Sequence, residues 1–67
     1  MNEEIHIGEL IRKILREDGR SISWFARQIG RDRTSIYKIF QTSHIHPLLL
    51  LPISQVLGYD FFSHYSE

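Results

Sequence analysis

Ile7, Leu10, Ile11, Ile14 and Leu15 recur at i, i+3, i+4, i+7 and i+8, while Glu9, Arg12, Lys13, Arg16 and Glu17 take the remaining faces. That period marks a single apolar helical stripe, and Gly19 stands where a left-handed C-terminal residue belongs. The pattern predicts a first helix over 7–18. Helices this short are marginal alone in water, so its stripe needs a partner. Ser21 offers a capping hydroxyl, after which Ile22, Phe25, Ala26 and Ile29 repeat the spacing until Gly30, which predicts a second helix over 22–29. The polar run 31–35 contains Asp32, a good N-cap. Ile36, Ile39 and Phe40 then supply the narrow stripe of a third helix, over about 33–41.

Residues 42–46 read as a loop, and Pro47 suits the first position of a fourth helix, where a missing N–H costs nothing. Leu50, Ile53, Val56 and Leu57 would face the core, with Gly58 at the end. Pro52 conflicts with this helix. An interior proline removes one backbone bond and costs about 3 kcal/mol unless accommodated, so the fourth helix is expected to kink there or to start later, with the kink favoured. Four of the eight aromatics follow, Tyr59, Phe61, Phe62 and Tyr65, and predict a last helical turn that closes the bottom of the core. The expected fold is all-α, one domain over 1–67 with four or five short helices, residues 1–6 an N-terminal arm and 59–67 an aromatic C-terminal tail.

Composition narrows the function. A 67-residue chain buries only about 60% of its unfolded surface, which leaves little room for a two-lobed catalytic cleft. With no cysteine there is no disulfide framework and no thiolate zinc site, which suits a reducing cytoplasm. The longest apolar run, Leu48 to Leu51, is too short for a membrane span, and the acidic start is unlike a signal peptide. His44 and His46 lack the further ligands a metal site needs. Ser, His and Asp occur without a nucleophile elbow or glycine loop to present them. No enzyme, no cofactor, no metal and no membrane partner are expected. His46 reads as a cap of the fourth helix or a weak phosphate contact, and His6 and His64 as surface residues.

Eight Lys and Arg balance eight Asp and Glu, a neutrality that at first argues against a nucleic-acid partner. The balance hides a segregation. Residues 1–26 carry five acids and four bases, 27–41 four bases and one acid, and 42–67 two acids, giving −1, +3 and −2. The basic excess falls on the end of the second helix, the turn and the third helix. Neutrality elsewhere predicts weak non-specific attraction to DNA.

Residues 22–41 carry the most specific pattern. Two helices crossing steeply through a short turn need a small residue at the crossing (Ala26), a residue tolerant of positive φ in the turn (Gly30) and branched wedges on the second helix (Ile36 and Ile39). This stretch resembles the helix-turn-helix of the XRE family of phage lambda repressor-like DNA-binding domains. It puts Ala, Gly and Ile at the fifth, ninth and fifteenth positions of that family's twenty-residue motif. The likeness covers residues 7–58 or more, and Ile-Ser-Gln-Val-Leu-Gly at 53–58 is similar to the family's fourth helix. Pro52 departs from it, standing where the family has a helix-friendly polar residue, and the chain is nearly all DNA-binding domain, with no appended ligand or dimerisation domain.

The resemblance implies a sequence-specific transcriptional regulator of bacterial or phage type that binds double-stranded DNA, with the third helix in the major groove. It directs Arg33, Thr34, Ser35 and Tyr37 toward base edges. Arg33 has the fork for guanine, and Tyr37 also suits phosphate. Ser21, Ser23, Arg31, Lys38 and Gln41 are directed toward phosphates, Gln41 also suiting adenine. The blander alternative is that Arg27, Arg31, Arg33 and Lys38 form a solvated face. Trp24 either packs at the rim of the core on the first or fourth helix, the favoured reading, or reaches the sugar-phosphate backbone. Leu48 to Leu51 exceed what one buried stripe requires. Either this helix is buried on two sides, or Leu48 and Leu51 form an exposed patch for a homodimer. A protein-interaction module of antitoxin or antagonist type, using that Leu-rich helix, is the alternative function.

Overall fold

Each helix begins at a side chain that accepts its first free N–H groups. The computed structural model describes residues 5–65, so residues 1–4 of the expected arm, residues 66 and 67 of the tail, and the side chains of His64 and Tyr65 lie outside the described residues. Four helices occur, α1 (Ile7–Glu17), α2 (Ile22–Ile29), α3 (Arg33–Gln41) and α4 (Pro47–Leu57), followed by a 3₁₀ turn, Phe61–Tyr65. No strand is present among the described residues. Ser21 Oγ accepts from the Trp24 N–H at 3.0 Å, and the Asp32 carboxylate from the Ser35 N–H at 2.9 Å. Two caps are imidazoles. His6 Nδ1 accepts from the Glu9 N–H and His46 Nδ1 from the Leu48 N–H, each at 3.1 Å, a role open to a neutral ring. For His46 this is the capping alternative of the sequence reading.

Glycines end three helices at positive φ, Gly19 and Gly30 at 70° and Gly58 at 65°. After α1 the Arg20 N–H donates to the Leu15 carbonyl at 3.0 Å and the Gly19 N–H to that of Arg16 at 3.1 Å, a paired closure that satisfies the last carbonyls. The helix itself stops at Glu17 with Asp18 as its cap, one residue short of the expected 7–18. α4 starts at Pro47 and runs through Pro52 to Leu57, which corrects the alternative of a later start. The carbonyl that Pro52 leaves without a donor belongs to Leu48. Leu48 is 81% exposed, so water can serve that carbonyl.

The core joins Ile7, Ile11 and Leu15 of α1 to Phe25 and Ala26 of α2, Ile36, Ile39 and Phe40 of α3, and Leu50 and Ile53 of α4. Ile45, within the expected loop, and Phe61, within the expected tail, are buried in the same cluster. Leu10, Ile14, Val56 and Leu57 pack half-buried at its margin. α3 is central, packed against both α1 and α2, and α2 also meets α4. The start of α1 comes close to the end of α3 at Gly8, whose N–H donates to the Thr42 carbonyl at 2.9 Å while that of Ile7 reaches the Ser43 carbonyl at 3.0 Å.

Among the described residues one buried side-chain group is unsatisfied. Ser54 is 9% exposed and its hydroxyl has no hydrogen-bond partner. A buried hydroxyl with no partner carries its desolvation cost uncompensated. Ser54→Ala is therefore expected to be neutral or to raise stability by up to about 1 kcal/mol, read as the urea midpoint. A clear loss of stability would contradict the orphan assignment.

Candidate nucleic-acid interface

With Ile36, Ile39 and Phe40 turned into the core, a helix advancing about 100° per residue sends Thr34, Tyr37, Lys38 and Gln41 to the opposite side. All four are exposed, as is Arg33 at the first position of α3. This is one continuous polar face about two turns long, and it contains four of the residues expected to touch DNA along with Arg33. The Tyr37 ring stands edge-on to Phe40, centroids 6.3 Å apart and planes at 82°, yet remains 46% exposed. Its hydroxyl-bearing end is thus held in place by packing at its base. Thr42 Oγ1 donates to the Lys38 carbonyl at 2.8 Å and secures the end of the helix.

Ser35 behaves differently. It is half-buried, and both its N–H and its side chain bond to Asp32. Those bonds favour the ionised carboxylate and hold Asp32 below the usual carboxylate range. The expected base contact from Ser35 therefore sits beside the helix cap, off the exposed face. It lines instead a groove between α3 and α4, whose polar wall is Arg31, Ser35, Lys38, Thr42, His44 and His46 and whose floor is Ile39, Ile45 and Leu49. Thr42 and His44 carried no signal in the sequence beyond lying in a polar loop. His44 Nδ1 lies 3.3 Å from Ser43 Oγ.

The start of α2 offers a second group of donors. Ser21 and Ser23 are exposed. Ser21 Oγ already accepts from Trp24, but its hydroxyl hydrogen stays available, and its carbonyl takes the Phe25 N–H at 3.1 Å. Among the described residues this leaves the N–H groups of Ile22 and Ser23 as the open donors of the first turn. Ala26, Ile36 and Ile39 are buried and Gly30 is left-handed. Trp24 is half-buried against the core, with the Arg20 guanidinium 4.5 Å over its ring, which agrees with the rim reading.

Arg27, Arg31, Arg33 and Lys38 are all exposed, and none is drawn into an ion pair with another described residue. Asp32 is the acid among them, and its charge faces the α3 N-terminus. On α4, Leu48 is 81% and Leu51 49% exposed, so this helix is not buried on two sides, which corrects that alternative. An apolar groove lined by His44, Ile45, His46, Pro47 and Phe62 opens at the N-terminal end of α4. No group of three or more potential metal ligands occurs among the described residues, and no helix there is long and apolar enough to cross a membrane. No protein-family model matches the chain, and no curated protein or solved structure matches it either.

Proposed function

We infer that the chain is a sequence-specific DNA-binding regulator of transcription, with α2 and α3 as a helix-turn-helix and α3 in the major groove. The observation that carries this reading is the α3 face. A helix whose opposite side is locked into the core offers Arg33, Thr34, Tyr37, Lys38 and Gln41 together on one exposed side. Arg33 can read guanine in bidentate fashion, and Thr34 brings a hydroxyl and a methyl. Lys38, Gln41, Arg31, Ser21 and Ser23 then position the protein on phosphates, aided by the open N–H groups of α2. Action is by occupancy, the bound protein blocking or recruiting polymerase.

Selection from a random duplex library tests this. The wild-type protein is expected to enrich a defined sequence. Arg33→Ala should lose preference at one base position, worth about 1–3 kcal/mol of discrimination. If three or four phosphates are neutralised per subunit, log affinity should fall against log salt with a slope of about −3. No enrichment, or an affinity indifferent to salt, overturns the reading.

The exposure of Leu48 and Leu51 supports a second reading, a protein-interaction module built on α4. Leu48→Asp with Leu51→Asp would then abolish function, while Arg33→Ala with Lys38→Ala would be tolerated. The same patch suits a homodimer on DNA. Two-fold symmetry would then set half-sites about 34 Å apart.

A further inference from the structure

We propose that the edge of α1 carrying Arg12 and Arg16, continued by Arg20, is an additional docking surface for the sugar-phosphate backbone of duplex DNA. The proposal rests on the DNA-binding reading and widens its footprint from two helices to three. Arg12 and Arg16 are four residues apart, which brings their side chains onto one edge of α1, and Arg20 follows just past the Gly19 turn that ends it. All three are exposed.

Their neighbours show which way this edge points. Arg12 lines the groove between α1 and α3 together with Tyr37 and Gln41 of the polar face. Arg12, Arg16 and Arg20 line a second groove, floored by Leu15, Ile22 and Phe40 and bounded by Ser21, the cap of α2. The two grooves share Arg12 and Phe40. The arginine row therefore bridges the two places already expected to touch DNA, the Tyr37–Gln41 side of α3 and the open first turn of α2. A strand of phosphates passing from one to the other runs along it.

The chemistry suits that ligand. A guanidinium fork matches phosphate oxygens in bidentate fashion, with a geometry that lysine lacks. Arg20 is preorganised by its position over the Trp24 ring. Neither Arg12 nor Arg16 forms an ion pair with another described residue. Of the two acids of α1, Glu9 lies on this edge, sharing a further groove with Arg12, Lys13 and Arg16. Glu9 and Glu17 stand four residues either side of Lys13, Glu17 and Asp18 line neither groove, and only Glu9 enters the first, beside Arg12. Glu9 weakens an anion site at that end, so the stronger end is the one between Arg16, Arg20 and Ser21. Counted along the sequence, residues 1–26 have a net charge of −1. Folding brings three of the four bases of that stretch, Arg12, Arg16 and Arg20, to grooves shared with α3.

The test uses the duplex enriched by the wild-type protein and measures affinity across a salt series. Arg12→Gln with Arg16→Gln, both exposed and confirmed folded by thermal melting, is expected to bind about tenfold more weakly. Its log–log salt slope should be shallower by nearly two, at about 0.9 per phosphate contact, with the enriched sequence unchanged. Arg12→Lys with Arg16→Lys should recover most of the slope, and Lys13→Gln should leave it alone. An unchanged slope in the double glutamine variant overturns the proposal and leaves the α3 reading standing, the row then being a solvated face or a site for another anion. An equal loss in Lys13→Gln also overturns it, since the effect would be one of overall charge. If the wild-type protein shows no salt-dependent affinity for any duplex, the DNA reading itself fails and takes this surface with it.

Discussion

Gly8→Ala is expected to destabilise the protein by about 3 kcal/mol or more, a change large enough to leave much of it unfolded at physiological temperature. A Cβ at this position would stand 2.6 Å from the carbonyl oxygens of Phe40 and Thr42 and nearer still to that of Ile39. All three are backbone atoms at the end of α3, so no rotamer change makes room. Relief requires α1 to withdraw from α3, breaking the bonds from Ile7 and Gly8 to Ser43 and Thr42 and loosening Ile7 and Ile11 in the core. Those bonds also set the positive end of one helix dipole against the negative end of another. A chain of 67 residues has only about 3–10 kcal/mol of stability to lose, at about 0.05–0.15 kcal/mol per residue. The prediction is sharp because helix propensity alone gives the opposite sign, Ala being favoured over Gly by about 1 kcal/mol inside a helix. Urea unfolding decides between them, with exposed Lys13→Ala as the control expected within about 0.5 kcal/mol of wild type. A stabilised Gly8→Ala protein would show that α1 and α3 do not meet this closely.

Phe61→Ala is expected to cost about 3–5 kcal/mol, the usual range for truncating a fully buried aromatic. Phe61 is entirely shielded from solvent, and the Tyr59 ring lies 4.7 Å from it, tilted by 48°. The segment around it is tied locally. The Phe62 N–H donates to the Asp60 carboxylate at 3.1 Å and Ser63 Oγ to the Asp60 carbonyl at 2.9 Å. Phe61 thus belongs to the core, with Tyr59 and Phe62 packed half-buried against it, and the expected aromatic tail is in this part a structural element. The melting temperature should fall by at least about 12 °C, taking 4–8 °C per kcal/mol for a domain of this size. A shift of a few degrees would mean that Phe61 is a removable appendage.

How much of this was legible before the structure depended on how far apart the interacting residues lie. The bounds of α2 and α3 followed from Ser21, Gly30, Asp32 and the stripe between them, since caps and periodicity act within one turn. The exposed face of α3 followed too, because burying Ile36, Ile39 and Phe40 leaves few places for Thr34, Lys38 and Gln41. The imidazole caps were less clear. His6 read only as a surface residue, since histidine is no favoured N-cap and accepts only when its ring is neutral and correctly turned. Ser35 looked like its exposed neighbours until Asp32 was seen to engage both its N–H and its side chain.

What the sequence determined by itself is the set of helices, the Ser21 and Asp32 caps and the side each helix must bury, because these are set by interactions between residues three or four apart. The tertiary structure decided the rest. Gly8 is an unremarkable small residue in the chain and becomes the contact point of α1 with α3 only when residues more than thirty positions away arrive there. Arg12 and Arg16 look like ordinary solvated charges until α1 lies beside Gln41 and Ser21, and Ile45 and Phe61 look like loop and tail until the core closes over them. The physical reason is common to all five. A close approach or a charged groove is a property of two surfaces, and a one-dimensional pattern describes only one of them.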